Sequence, residues 1–541
     1  MKAYIHSTTT AFFRSFAIFA ILFLLINSAF AQLFDTRTTT QKFNAAFQLI
    51  SMAYVDSVDH QRLTETAIRE MLKELDPHSV YMTKEEIQRA NEPLQGNFEG
   101  IGVQFQIFKD TIMIISPIPG GPSDKLGILP GDKIVMINGE EATGPRINNN
   151  FVMERLRGNR GTSVDVSIYR QGVKDLLEFT IVRDRIPLNS IDATYMIGAE
   201  TGYIRLNRFA RTTMTEFNDA ITQLRTQGAQ HLILDLRNNS GGFLDVAVDL
   251  ADEFLVGGKM IVYTEGLRSP RQDFRATGRG NMHKGKVIVM INEGSASASE
   301  IVAGAVQDWD RGLVMGRRSF GKGLVQRPFT LPDSSVIRLT TARYFTPSGR
   351  SIQKPYNEGV AAYQKDLQRR LEHGEMVHAD SIQFPDSLKY FTNNKRIVYG
   401  GGGIMPDIFL PIDTLGSSEY YSRLSRRGII NSFSLDYMNK NRRSLESKYP
   451  DIDSFIRHFI VDDDFLEDFV VFAGKEGLER DEEGIRQSGG HLKVVLKAFI
   501  GRNLFDLNAY YRIIGEIDRE LQQAIQTMAD DVAFKNMLVV N

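Results

Sequence analysis

The stretch KVIVMINEGSASASEIVAGAVQDWDRGLVMGRRSFGKGLVQ, residues 286–326, decides the fold. It opens on the apolar run 287–291, which reads as a strand, and a small-residue turn at 294–297 follows. A helix-like run over 298–309 comes next, and Val314-Met315 reads as another strand. Strand, turn, helix and strand in this order are the unit of an α/β fold. A turn of this kind can lift Ser297 to an exposed position beside the free N–H groups of a helix start. Lys322 stands 25 residues further on, between Gly321 and Gly323. A serine hydroxyl cannot attack a carbonyl unaided at neutral pH, and a lysine of lowered pKa can serve as its base. That role requires a neutral Lys322, hence a dry, apolar pocket. Gln326, four residues on, would share a strand face with Lys322 and could orient its amine.

Each piece also has a plainer reading. Ser297 and Glu300 fit an S-x-x-E capping box for the following helix. A Gly-Lys-Gly turn is usually solvated. Residues 316–322 approach a phosphate-binding P-loop, but Gly323 stands where Ser or Thr is required. Residues 324–331 look extended, so the helix that would hold phosphates is missing. The run Asp235-Leu236-Arg237-Asn238-Asn239-Ser240-Gly241-Gly242 ends an apolar strand. Its two glycines can point backbone N–H groups into a site, as an oxyanion hole requires, or make a simple turn. His78, His231 and His283 are the candidates for a Ser-His pair, and none comes with an evident orienting carboxylate.

Working outward, residues 186–411 alternate strands (203–206, 231–236, 287–291, 314–315) with helices (215–226, 242–254, 298–309), followed by a polar helix at 361–373. Residues 32–95 read as helical, with a stop at Leu75-Asp76-Pro77-His78-Ser79 and a helix start at Thr83, capped with Glu86. Residues 96–185 hold short strands between Gly, Pro, Asn and Asp. Residues 412–541 carry charged amphipathic helices, including 492–499 and 510–528. Within 96–185, Gly127-Ile128-Leu129-Pro130-Gly131-Asp132 leads through a strand to Asn138-Gly139, and this resembles the PDZ pattern. The resemblance implies capture of a peptide's C-terminal carboxylate, the peptide adding a strand to a sheet edge. Gly100, Ile101, Gly102 and Val103 match the position of the carboxylate-binding loop.

The 541 residues include 42% hydrophobic and 24% charged residues, an ordinary globular balance that is long for one core. A formal net charge of −2 gives no basic field for nucleic acid. With no cysteine, disulfides and thiolate catalysis are excluded. No metal-ligand spacing of the H-E-x-x-H or EF-hand type occurs, and no metal or other cofactor is expected. Lys2 and Arg14, the apolar run 16–26 and Ala29-Phe30-Ala31 read as a signal peptide over 1–31, placing the chain in the periplasm or cell envelope. The apolar run is short against the roughly 20 residues of a membrane span. Left uncleaved, it would tether the protein to the inner membrane.

Taken in order, these motifs resemble the carboxy-terminal processing proteases, serine peptidases of the tail-specific type. The resemblance runs from about residue 45 to residue 411 and takes in Tyr344-Phe345-Thr346-Pro347-Ser348-Gly349-Arg350 and Gly402-Gly403-Ile404-Met405-Pro406-Asp407. It implies a Ser297–Lys322 dyad aligned by Gln326, with oxyanion donors from Ala298 and from Gly241 or Gly242. It also implies a mixed α/β peptidase core related to the crotonase and Clp-type folds. The expected partners are the C-terminal tails of unfolded or disordered proteins. Residues 412–541 lie outside the minimal family pattern, and an adaptor dock, a dimerisation arm or a cap over the site are their candidate roles.

Overall fold

The computed structural model describes residues 37–539 apart from 109 and 415, so the signal peptide expected over 1–31 lies outside the described residues. The chain divides into two compact units, one ending at Leu75 and the other beginning at Asp76. The first holds helical residues 37–53 and the helix His60–Lys73. Asp59 caps the latter, its carboxylate accepting the Arg62 N–H at 3.0 Å.

The second unit is built on a six-stranded sheet in the order Ile191–Ile197, Thr201–Leu206, His231–Asp235, Val287–Ile291, Leu313–Gly316, Ile408–Phe409. Only the first pair is antiparallel. Helices Thr213–Thr226, Leu244–Asp252 and Ala298–Asp308 lie on the connections between the parallel strands. The strands are apolar almost throughout because both faces are covered. Leu232, Leu234, Val287, Val289, Ile291 and Val314 enter one core with these helices. The alternate residues Ile233, Ile288, Met290, Leu313 and Met315 enter a second core with Leu521, Ala524, Met528 and Phe534. The layer on the second face of the central sheet is therefore supplied by the helices Arg519–Ala529 and Asp531–Met537, more than 200 residues beyond the strand Leu313–Gly316 in sequence.

A five-stranded antiparallel sheet stands beside this core. Val336–Phe345 is its centre and pairs with Val80–Met82, Met260–Gly266 and Leu324–Thr330, while Ser269–Arg275 pairs with Met260–Gly266. Thr83 caps the helix Lys84–Gln95 in a reciprocal box with Glu86, as its spacing predicts. The chain then enters the β-rich region through Asn97–Gly100 and leaves it through Asp184–Pro187, which pair as a two-stranded ribbon. Between them a six-stranded sheet encloses its own apolar core. Its strand Val103–Phe108 pairs on one side only, with Thr111–Pro117, and so forms an edge.

Two helical readings are refined. The polar run 361–373 is broken at Lys365 into Val360–Gln364 and Asp366–Glu372. The run 510–528 is broken after Ile514, and the second helix restarts at Asp518, whose side chain caps it through Leu521 N–H at 3.0 Å. A cap in mid-run competes with continuation of the helix, which the apolar spacing alone does not reveal.

Candidate active site

Ser297 sits between the strand Val287–Ile291 and the helix Ala298–Asp308, with φ 55° and ψ −111°. A positive φ on a residue with a side chain costs ~1–3 kcal/mol and is held only where surrounding contacts over-determine it. Those contacts are present. The Ser297 carbonyl accepts the N–H groups of Glu300 and Ile301 at 2.9 and 3.0 Å, and the Tyr344 hydroxyl at 3.1 Å. Its N–H donates to Glu300 Oε2 at 2.7 Å. The neighbouring Ala296 N–H and Ser299 hydroxyl both donate to the Asn239 carbonyl, at 3.0 and 2.8 Å. Ser297 and Glu300 form the capping box that their S-x-x-E spacing predicts, so the residue that opens the helix is also the candidate nucleophile.

Lys322 lies in the segment between the strands Leu313–Gly316 and Leu324–Thr330. Two buried groups bind the backbone of both Ser297 and Lys322. The one Tyr344 O–H proton is shared between the Lys322 carbonyl at 2.7 Å and that of Ser297 at 3.1 Å. The Glu300 carboxylate accepts the N–H groups of Ser297 and Lys322 on Oε2, at 2.7 and 2.9 Å. On Oε1 it accepts the Ser319 hydroxyl and the Gly321 N–H, at 2.5 and 2.7 Å. Burial raises the Glu300 pKa, and these four donors oppose that rise. Glu300 thus ties the turn at Ser297 to the loop at Lys322. The S-x-x-E spacing signals a helix cap and gives no hint of this second duty.

Burial lowers the Lys322 pKa first, and the Arg338 guanidinium lowers it further, against the carboxylates of Glu300 and Asp76. His78 stands in the same environment. Burial, then the Lys322 cation, lower its pKa to about 4, so its imidazole is neutral at physiological pH. Its Nε2 pairs with the Tyr363 hydroxyl at 2.8 Å. The Asp76 carboxylate shapes this turn, accepting the N–H groups of His78 and Ser79 and the Ser79 hydroxyl. The helix-stop motif at residues 75–79 is therefore part of the lysine environment. His231 and His283 are elsewhere: His231 Nδ1 accepts the Lys286 N–H at 3.1 Å, and His283 lies in the loop before that strand.

Gln326 is on the strand Leu324–Thr330, and its amide reaches Thr340 Oγ1 at 3.3 Å. Thr340 in turn donates to Asp76 at 3.1 Å. Among the described residues, no hydrogen bond joins Gln326, Lys322 Nζ and Ser297 Oγ to one another.

The run 235–242 leaves the strand His231–Asp235 and turns beneath Ser297. Gly241 has φ +104°, and a Cβ there would lie 2.9 Å from Ser297 Cβ and 3.1 Å from Ala298 N. A Cβ on Gly242 would lie 2.1 Å from the Phe209 carbonyl oxygen. Only glycine lets this backbone approach so closely. The Gly241 N–H donates to Asn239 Oδ1 at 2.9 Å. The N–H groups of Gly242 and Ala298 donate to no acceptor among the described residues. Of the two glycines, Gly242 is the one whose donor is unspent among the described residues.

In the β-rich domain, Gly100 ends the entry strand. The Ile101 carbonyl accepts the N–H and hydroxyl of Ser123, at 3.1 and 2.6 Å, and the Gly102 carbonyl accepts the Ile118 N–H at 2.9 Å. With both carbonyls fixed, the Ile101 and Gly102 N–H groups donate to no acceptor among the described residues. The edge strand begins at Val103, immediately after them.

The chain matches peptidase family S41 over residues 200–362, the PDZ domain over 100–181 and the N-terminal domain of the activating protease CtpB over 26–86. Residues 420–506 match a family of unknown function. A carboxy-terminal-processing protease of Bartonella bacilliformis is 40% identical over 325 residues, covering 59% of this chain and 74% of that one. The carboxy-terminal processing protease CtpB of Bacillus subtilis is 34% identical over 361 residues, covering 66% and 72%. Among solved structures, a photosystem II D1 C-terminal processing protease is 29% identical, covering 57% of this chain and 89% of that one at a TM-score of 0.33. The chain belongs to the carboxy-terminal processing proteases, serine-type peptidases of family S41 that carry a PDZ domain.

Proposed function

We propose that the protein is an exported endopeptidase of the cell envelope that captures the C-terminal tail of an unfolded protein in its PDZ domain and cleaves it with a Ser297–Lys322 dyad. The observation that carries this reading is the pair of shared anchors. Glu300 and Tyr344 each bind the backbone of both residues, and Ser297 is held between strand and helix at a positive φ. The lowered pKa of Lys322 supports its role as a base, since a neutral amine is the form that accepts a proton.

In this mechanism Lys322 Nζ takes the Ser297 proton as Oγ bonds to the substrate carbonyl carbon. The carbonyl oxygen gains the charge and is held by the N–H groups of Ala298 and Gly242. The C–N bond then breaks, the Lys322 ammonium gives its proton to the leaving amine, and water hydrolyses the acyl-enzyme with Lys322 again as base. Gln326 orients the amine once the substrate draws Lys322 toward Ser297. Upstream, the N–H groups at 101–103 take the tail carboxylate, and the tail pairs with the edge strand 103–108. The placement of the oxyanion donors at the ends of parallel strands supports kinship of the core with the crotonase and Clp-type folds.

The test is cleavage of a disordered protein with a free C-terminus by the chain lacking residues 1–31. Ser297→Ala and Lys322→Ala should each abolish it, and full activity in either variant sinks the dyad. Amidation of the substrate's terminal carboxylate should slow cleavage at sub-saturating substrate. Equal rates would remove carboxylate capture and leave the dyad standing.

A further inference from the structure

The three loops that carry the proposed catalytic groups leave neighbouring strands of the central sheet, and each contributes a charged residue to one buried cluster. Arg237 follows His231–Asp235 and precedes Gly241 and Gly242. Glu293 follows Val287–Ile291 and precedes Ser297. Arg317 follows Leu313–Gly316 and precedes Lys322. The common partner of the two arginines is Glu520, in the first turn of the helix Arg519–Ala529. Glu520 Oε2 accepts Arg237 Nη1 at 3.0 Å, and Oε1 accepts Arg317 Nη1. Arg317 Nε also donates to Glu293 Oε2 at 2.8 Å. Glu520 and both arginines are nearly buried. A second acid from the same helix start, Asp518, binds Arg237 at 2.7 and 3.1 Å but makes no contact with Arg317.

We propose that Glu520 is a positioning residue for the peptidase. By spanning Arg237 and Arg317, it fixes the oxyanion turn and the lysine loop relative to each other, and through Arg317 and Glu293 it reaches the nucleophile turn. This rests on the dyad reading above. The helical region beyond residue 412 is thereby an integral part of the catalytic scaffold, contributing a carboxylate that the peptidase match at 200–362 lacks.

Asp518 provides the control, because it caps the helix and pairs with Arg237 but does not bridge two loops. If Glu520 acted only as one more buried ion pair, Glu520→Gln and Asp518→Asn would lower stability and activity in parallel. As a bridge, Glu520 has a distinct signature. The experiment uses the chain lacking residues 1–31, well below its melting temperature. It compares the rate at which an alkyl fluorophosphonate acylates Ser297, located by mass spectrometry, with kcat and KM on a disordered protein substrate. Glu520→Gln is expected to lower kcat and the acylation rate at least about tenfold, with KM within about twofold, since small misplacements of reacting groups carry losses of this size. Asp518→Asn should lower the melting temperature and keep kcat within about twofold. Should Glu520→Gln fold poorly, Arg317→Lys retains a paired charge but cannot reach Glu293 and Glu520 together, and should show the same kcat loss. Wild-type acylation in Glu520→Gln or in Arg317→Lys overturns the proposal, as does an equal loss in Asp518→Asn. Failure of the dyad reads differently: Ser297→Ala would then keep its proteolytic activity.

Discussion

In the proposed mechanism Lys322 is the residue whose protonation state the chemistry depends on, and its neighbours set that state in opposing directions. Burial and the Arg338 cation lower its pKa, while Glu300 and Asp76 act the other way. Activity should rise with pH as Lys322 loses its proton. Arg338→Gln removes one lowering influence, so the pKa rises and the acid limb of kcat/KM moves to higher pH. A pH–rate profile checks this, and a limb that stays in place or moves to lower pH rules Arg338 out as a tuning group. Glu300→Gln makes a second residue-scale prediction. Glutamine offers one oxygen where Glu300 uses two, so its amide group faces two N–H or O–H donors. Each orphaned buried donor costs about 1–3 kcal/mol, so the melting temperature should fall by several degrees and kcat should fall with it. Thermal unfolding with an activity assay measures both, and an unchanged melting temperature would mean that the four-donor hub is not holding the loops.

At the scale of elements, the PDZ entrance makes its own prediction. Gly102 has φ +74°, and a Cβ there would meet Ile186 Cδ1 at 2.8 Å, so alanine would strain the loop that presents the free N–H groups. Gly102→Ala should weaken binding of a free-carboxylate peptide about tenfold or more by fluorescence anisotropy and leave fluorophosphonate acylation of Ser297 unchanged. Unaltered peptide affinity would move the carboxylate site elsewhere. The central elements were legible from their residues. The run 287–291 is apolar enough to be a strand and nothing else, and small residues followed by an acid at 294–300 announce a turn into a helix. The hairpin Met260–Gly266 and Ser269–Arg275 was not, because its second strand is mostly exposed and polar and takes its form from the partner strand. Tyr344 was visible inside a motif, but a sequence cannot reveal that its hydroxyl meets two carbonyls contributed by separate loops. The cluster around Glu520 was hidden for the same reason, since Glu520 stands 283 and 203 residues from Arg237 and Arg317.

For the whole molecule, the decisive feature is the second core beneath the central sheet. A chain ending at residue 411 would leave Ile233, Ile288, Met290, Leu313 and Met315 without Leu521, Ala524, Met528 and Phe534. It would expose one face of a sheet whose strands have apolar residues on both faces, a patch of the kind that drives association. Such a truncation is expected to aggregate or run as oligomers on gel filtration, whereas an independently folding peptidase core would run as a soluble monomer. The helical region also meets the PDZ domain. Asn431 bonds to Gln106 on the edge strand and accepts Arg502 at 2.5 Å from the helix Glu482–Leu504. The region beyond residue 412 therefore touches both the edge strand Val103–Phe108 and the central sheet.

The position of those last helices in the chain also has a consequence in time. Contacts between partners so far apart in sequence close late, because the intervening chain must be ordered first. During synthesis Ser297, Lys322 and the turn at 241–242 emerge well before the helix Arg519–Ala529, whose Glu520 joins Arg237 to Arg317. On the proposed bridging role of Glu520, the newborn chain passes through its most exposed stage with its cutting edge unassembled, and competence arrives only when those helices dock.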